Sequence, residues 1–129
     1  MGKKSERRKE KRLRYHWPVW FAEDFNEILL QGQMVDVNST AAAFTCQPEQ
    51  NCPYPGQPIT ARFSVPCFSM DNSFNLANFT RAGCVHRVDK VNNFLSQIAV
   101  QFAEPLPFKP GEQGSSDLDT EQRLKALTI

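Results

Sequence analysis

The chain has 129 residues, 40% hydrophobic and 22% charged, which suffices for the core of one ordinary domain. Ten Phe, two Tyr and two Trp exclude a chain too poor in aromatics to fold. The longest apolar runs, such as Ile28-Leu29-Leu30, fall far short of the roughly 18 residues that cross a bilayer, so no membrane insertion is expected.

The net charge of +1 hides an asymmetry: residues 1–14 carry eight basic and two acidic side chains, and the remainder seven basic and twelve acidic. A basic arm on an acidic body points to an anion, whether nucleic acid, a lipid surface, a small phosphate ligand or the protein's own acidic face. Composition alone fits a solvated tail equally well. With little apolar surface to bury, residues 1–14 are expected to be mobile until a ligand arrives. No apolar segment follows the charges, as a signal peptide requires, and Glu6 stands where a myristoylation site needs Ser or Thr. The expected compartment is the cytoplasm.

From Trp17 the character changes. Pro18-Val19-Trp20-Phe21 reads as a short strand, with Trp17 and Trp20 as barrel aromatics. Ile28 to Val37 shows weak period-2 patterning, Asn38-Ser39-Thr40 punctuates it, and Ala41 to Cys46 fits a third strand. Four prolines and a Pro55-Gly56 turn make 47–58 a loop. Ile59 to Val65 alternates Ile59, Ala61, Phe63 and Val65 with polar residues, the mark of a half-buried strand. Residues 66–78 read as polar and irregular. Phe79–Asp89 and Phe94–Phe102 form a predicted hairpin around an Asn-rich turn. Past the polar linker 111–117, Asp119-Thr120-Glu121-Gln122 resembles a capping box. Leu124 and Leu127 would share one face of a short helix, marginal unless it docks.

The pattern favours an all-β fold, a small antiparallel barrel of about six strands. Its parts are the arm 1–14, the barrel 15–108, and the linker and short C-terminal helix 109–129.

Little here points to catalysis. His16 and His86 are the only histidines, and Cys84 and His86 would lie side by side on one strand with no orienting group. There is no Walker-type loop and no dinucleotide fingerprint. Cys46, Cys52, Cys67 and Cys84 read as reduced thiols, and their spacing gives no zinc knuckle. The chain is expected to be no enzyme and to need no metal or cofactor. A barrel binding single-stranded nucleic acid is an alternative, but its groove needs positive charge along the barrel, and this body is acidic.

Arg8-Lys9-Glu10-Lys11-Arg12 is R-x-x-x-R, and about two dozen residues later comes Asp36-Val37-Asn38-Ser39-Thr40-Ala41. In this order, ahead of a barrel pattern, the sequence over roughly residues 7–108 resembles a PilZ domain, the bacterial receptor family for cyclic diguanylate. That family shows R-x-x-x-R before its first strand and Asp/Asn-x-Ser-x-x-Gly at a strand end. The chain keeps the acid as Asp36 but has Asn38 at the Ser position and Ala41 at the Gly position.

The resemblance implies a cyclic diguanylate receptor or adaptor that relays to an unidentified protein partner. Its ligand residues would be Arg8, Arg12, Asp36, Asn38 and Ala41, with Arg7 beside them. Arginine's planar fork suits both phosphate and the guanine edge, and an aspartate can accept from guanine N–H groups. The family also contains members that bind no nucleotide and act through protein partners, so a ligand-free adaptor is the other reading. If the Gly position required positive φ, Ala41 would be strained there.

Overall fold

In a computed structural model, the structure describes residues 10–24, 26, 29–47, 52–69, 73–114 and 117–127. Its seven strands are β1 (Leu13–Arg14), β2 (Pro18–Ala22), β3 (Leu30–Val37), β4 (Ala41–Cys46), β5 (Pro58–Phe68), β6 (Phe74–Lys90) and β7 (Ser96–Phe102). A 3-10 turn (Pro110–Glu112) and helix α1 (Asp117–Leu127) follow. Strands β3-β2-β5-β6-β7-β4 pair antiparallel in that order, and β4 returns to β3, which closes a six-stranded barrel. Strand β1 is extra, laid along the end of β3.

Alternation fills the barrel. Ile59, Ala61, Phe63 and Val65 of β5 are buried, as are Ile98, Val100 and Phe102 of β7 and Val19 and Phe21 of β2. Aromatic rings tie the staves together: Phe21 meets Phe44 at 4.8 Å between centroids, and Phe63 stacks on Phe102 at 5.6 Å. Each buried Phe contributes about 1.5–3 kcal/mol relative to exposure. Trp17 packs against this core. Trp20 instead points outward, opposite Arg62, whose guanidinium lies 5.8 Å from the ring centroid.

The stretch 66–78 is not irregular where it is described. Strand β5 runs on through Phe68, and β6 begins at Phe74, paired from Phe68↔Phe74 to Pro58↔Cys84. Pro66 is tolerated because its nitrogen lies on the edge facing away from β6. The Pro66 carbonyl on that edge accepts from Gln113 Nε2 (2.9 Å), and Phe68 N–H donates to Gln113 Oε1 (2.8 Å). One residue pair back, the Ser64 carbonyl accepts from the Tyr15 hydroxyl at 2.7 Å. Two side chains thus continue the ladder where β2 stops.

The β6–β7 hairpin forms as expected, with a bulge between Val85 and Arg87 that leaves His86 unpaired. His86 therefore does not share a regular face with Cys84 and Val88. The turn extends to Leu95, and Phe94 stands in it, 76% exposed. Just ahead of β5, Gly56, at φ +89°, completes the expected Pro-Gly turn.

Helix α1 starts at Asp117, so Asp119 lies inside it and pairs with Arg123 four residues on, rather than capping it. Leu124 and Thr120 are buried, whereas Leu127 is exposed. The helix docks through Leu124 and through Arg123, whose guanidinium sits 5.3 Å from the Phe68 ring centroid. Docking supplies the stability that so short a helix lacks alone. Among the described residues no helix is long and apolar enough to cross a membrane.

Candidate functional site

Strand β3 approaches its end with a change of phase. Simple alternation from Leu30 through Gly32 and Met34 would send Asp36 into the barrel. A bulge between Met34 and Asp36 sets two residues of β3 against one of β4, with Met34↔Phe44 and Asp36↔Ala43 paired around it. Met34 and Val37 are both buried as a result, and the Asp36 carboxylate faces outward, 15% exposed.

The arm meets this carboxylate. Leu13 pairs with Val37 and is buried, and Arg14 pairs with Asp36. Strand alternation about Leu13 turns Arg12 outward, and Arg12 Nη1 stands 3.6 Å from Asp36 Oδ1. The R-x-x-x-R segment and the turn motif, far apart in sequence, therefore meet, here through Arg12 and Asp36. Arg7 and Arg8 lie outside the described residues.

The β3–β4 turn closes on itself. Asn38 Oδ1 accepts from the backbone N–H groups of Thr40 (2.9 Å) and Ala41 (2.8 Å), an Asx-turn, and Asn38 N–H donates to the Ala41 carbonyl. The side-chain oxygen of Asn38 is thus occupied inside the turn. Ala41 opens β4, paired with Gln101 in extended backbone, so the left-handed strain considered for this position does not arise.

Two residues that sequence reasoning passed over complete the junction. Glu10, at the centre of R-x-x-x-R, accepts from Ser39 N–H through Oε2 and from Ser39 Oγ through Oε1, both at 2.7 Å. Its position between two motif arginines was the available signal; net charge concealed it.

The C-terminal segment holds the arm from the opposite side. Backbone N–H groups of Lys11, Arg14 and His16 donate to Glu112 (3.2 Å), Asp117 (3.4 Å) and Glu121 (2.7 Å). Gly111 lets the chains approach, since a Cβ there would lie 2.4 Å from the Lys11 carbonyl oxygen. Residues 10–14 are therefore held against the body, which departs from the expectation of mobility for this part of the arm; residues 1–9 lie outside the described residues. Carboxylates of the acidic body take backbone donors that an edge strand would otherwise leave open.

Two clefts lie elsewhere. One, of about 460 Å³, runs between α1 and β3 and is lined by His16, Trp17, Gln33, Glu121 and Leu124. The other, of about 440 Å³, opens at the far barrel mouth by Leu30, Cys46, Cys52 and Leu95. Neither takes in Arg12, Asp36 or Ser39. The junction lies outside both clefts, with the Arg12–Asp36 pair at its surface.

No protein-family model and no curated protein sequence matches the chain. Its fold is similar to that of the Bacillus subtilis inhibitor of motility (MotI/DgrA), with a TM-score of 0.61 at 11% identity. The match covers 95% of this chain and 53% of that one, so the chain spans about half the length of the protein it resembles.

Proposed function

We propose that the chain is a cyclic diguanylate-binding module of the PilZ kind, acting in the cytoplasm by binding and relay rather than by catalysis. The observation that carries this reading is the meeting of Arg12 with Asp36, 3.6 Å apart across β1 and β3. Two motifs that are weak alone and far apart in sequence are thus brought side by side by the β1–β3 pairing. An arginine fork held beside an aspartate presents a donor for phosphate or the guanine edge and an acceptor for guanine N–H groups. The similarity of fold to an inhibitor of motility fits a module that acts on a partner protein.

The ligand lies across the turn and the arm, against Arg12 and Asp36, with Arg8 and Arg7 as further cations. Asn38 and Ala41 shape the turn there. The reading needs no metal or cofactor and assigns no reaction to either histidine. The ring of His16 is 3.5 Å from Glu121.

One observation favours the ligand-free adaptor as the second reading: the turn's own groups are already engaged, Asn38 by the backbone and Ser39 by Glu10. Isothermal titration with cyclic diguanylate separates the two, with cyclic diadenylate and GTP as controls. The receptor reading expects selective heat, and Arg12→Ala weakens affinity about 10- to 150-fold, the loss of one charge-assisted hydrogen bond. No heat at high micromolar protein overturns it in favour of the adaptor.

A further inference from the structure

Ser39 makes a cradle for an anion. Its backbone N–H and its hydroxyl converge on one carboxylate, each at 2.7 Å. The cradle is rigid: the Ser39 carbonyl accepts from Leu106 N–H (2.7 Å), and Asn38 fixes the turn on either side of it. A phosphodiester offers what the carboxylate offers, two charged oxygens on one centre. The group filling the cradle comes from within the R-x-x-x-R segment and is tethered three residues from the buried Leu13. Such a short tether gives it a high effective concentration at the turn.

From this geometry we infer that Glu10 is an internal ligand of the β3–β4 turn, which an incoming phosphodiester must expel from Ser39. The inference rests on the receptor reading above and names how that site is regulated. Glu10 lowers the apparent affinity by the fraction of molecules in which the cradle is filled. Left in place, it would also repel an anion arriving at Arg12. Expulsion exchanges one anchor of the arm for the ligand, so occupancy is converted into a change in how Glu10 and the residues up to Leu13 are held. This is a relay with no large movement of the barrel.

The test is titration of cyclic diguanylate into the full chain and its Glu10→Gln variant, with thermal melting of both and amide exchange at Ser39. Glutamine keeps the size of the side chain, removes its charge, and leaves one acceptor where there were two. The inference expects Glu10→Gln to bind about 3- to 30-fold more tightly than wild type. It also expects faster Ser39 exchange in the empty variant, slowed again by ligand. With inorganic phosphate as the probe, Glu10→Ala is expected to gain Ser39 protection at millimolar concentrations and wild type to gain none. Wild type that binds the dinucleotide while Glu10→Gln binds equally or less well overturns the inference and leaves the receptor reading standing. Absence of binding by both proteins overturns the receptor reading, and the inference falls with it.

Discussion

Leu13 and Glu10 lie three residues apart on the same segment, and different physics holds each in place. Leu13 belongs to the barrel: it is buried against the apolar core that also contains Phe44, Phe21 and Val37. Glu10 belongs to the junction, where a carboxylate meets an amide and a hydroxyl at the partly exposed surface. Apolar burial scales with area and responds little to charge, whereas hydrogen bonds to exposed carboxylates contribute little to overall stability and are screened by salt. The barrel can therefore stay folded while the junction rearranges. A relay needs that separation, since the element that responds must be weaker than the scaffold that positions it.

The largest effect should come from breaking the scaffold itself. Phe44→Ala removes a ring that is buried at the barrel centre and packs on Phe21. It should cost about 3–5 kcal/mol in denaturant unfolding. Barrel and junction should then be lost in one transition, because the arm has nothing left to dock on.

Leu124→Ala sharpens the comparison. Leu124 is the apolar foot of α1 on the barrel, and its truncation should cost about 2–3 kcal/mol. Because α1 also carries Asp117 and Glu121, which hold the arm, amide exchange at Arg14 and His16 should rise while exchange in β5 and β7 stays slow. Equal acceleration throughout would mean that arm and barrel are one cooperative unit.

Tyr15 sits at the boundary between the two regions. It is buried, and its hydroxyl donates to the Ser64 carbonyl. Burial pushes its phenol well above the ordinary value near 10. The unfolded chain therefore releases this proton at lower pH than the folded one. The stabilisation is fully present below about pH 10, the unfolded value, and is lost as pH rises beyond it. Tyr15→Phe should cost about 1–2 kcal/mol at neutral pH, from the unpaired Ser64 carbonyl. Its stability should also decline less above pH 10 than that of wild type, as denaturant melts across the alkaline range would register.

The smallest effect is expected at the clamp. Glu121→Ala removes the acceptor for His16 N–H. It should cost under about 1 kcal/mol globally, while trypsin cleavage at Arg14 becomes measurably faster.

How much of this was legible in the sequence follows the same division. The β5 alternation at Ile59, Ala61, Phe63 and Val65 was plain because a half-buried strand writes period two into its residues. The closed barrel of about six strands came from that pattern and its turns. The continuation of β5 through Pro66 to Phe68 was missed because a proline is harmless on an edge whose partner is a side chain, Gln113, more than forty residues on. The outward turn of Asp36 was hidden as well, since a bulge changes phase without any marker residue. At the candidate site, motif order singled out Arg12 and Asp36, which the fold places 3.6 Å apart. Glu10 was not legible, because summing the arm to a net positive charge hid its two acids, and Ser39 was not, because in Asn38-Ser39-Thr40 it reads only as turn punctuation. The docking of residues 10–14 depends on Glu112, Asp117 and Glu121, whose proximity only the fold creates.

The central claim is that the junction, and neither cleft, receives cyclic diguanylate. Mapping backbone amide resonances while the dinucleotide is added tests it directly. The account predicts shifts concentrated at Leu13, Asp36, Ser39 and Ala41, with Phe63 and Val100 in the barrel wall unmoved. Shifts gathered instead around Leu30, Cys46 and Leu95 at the far mouth, or no shifts at saturating nucleotide, would contradict it.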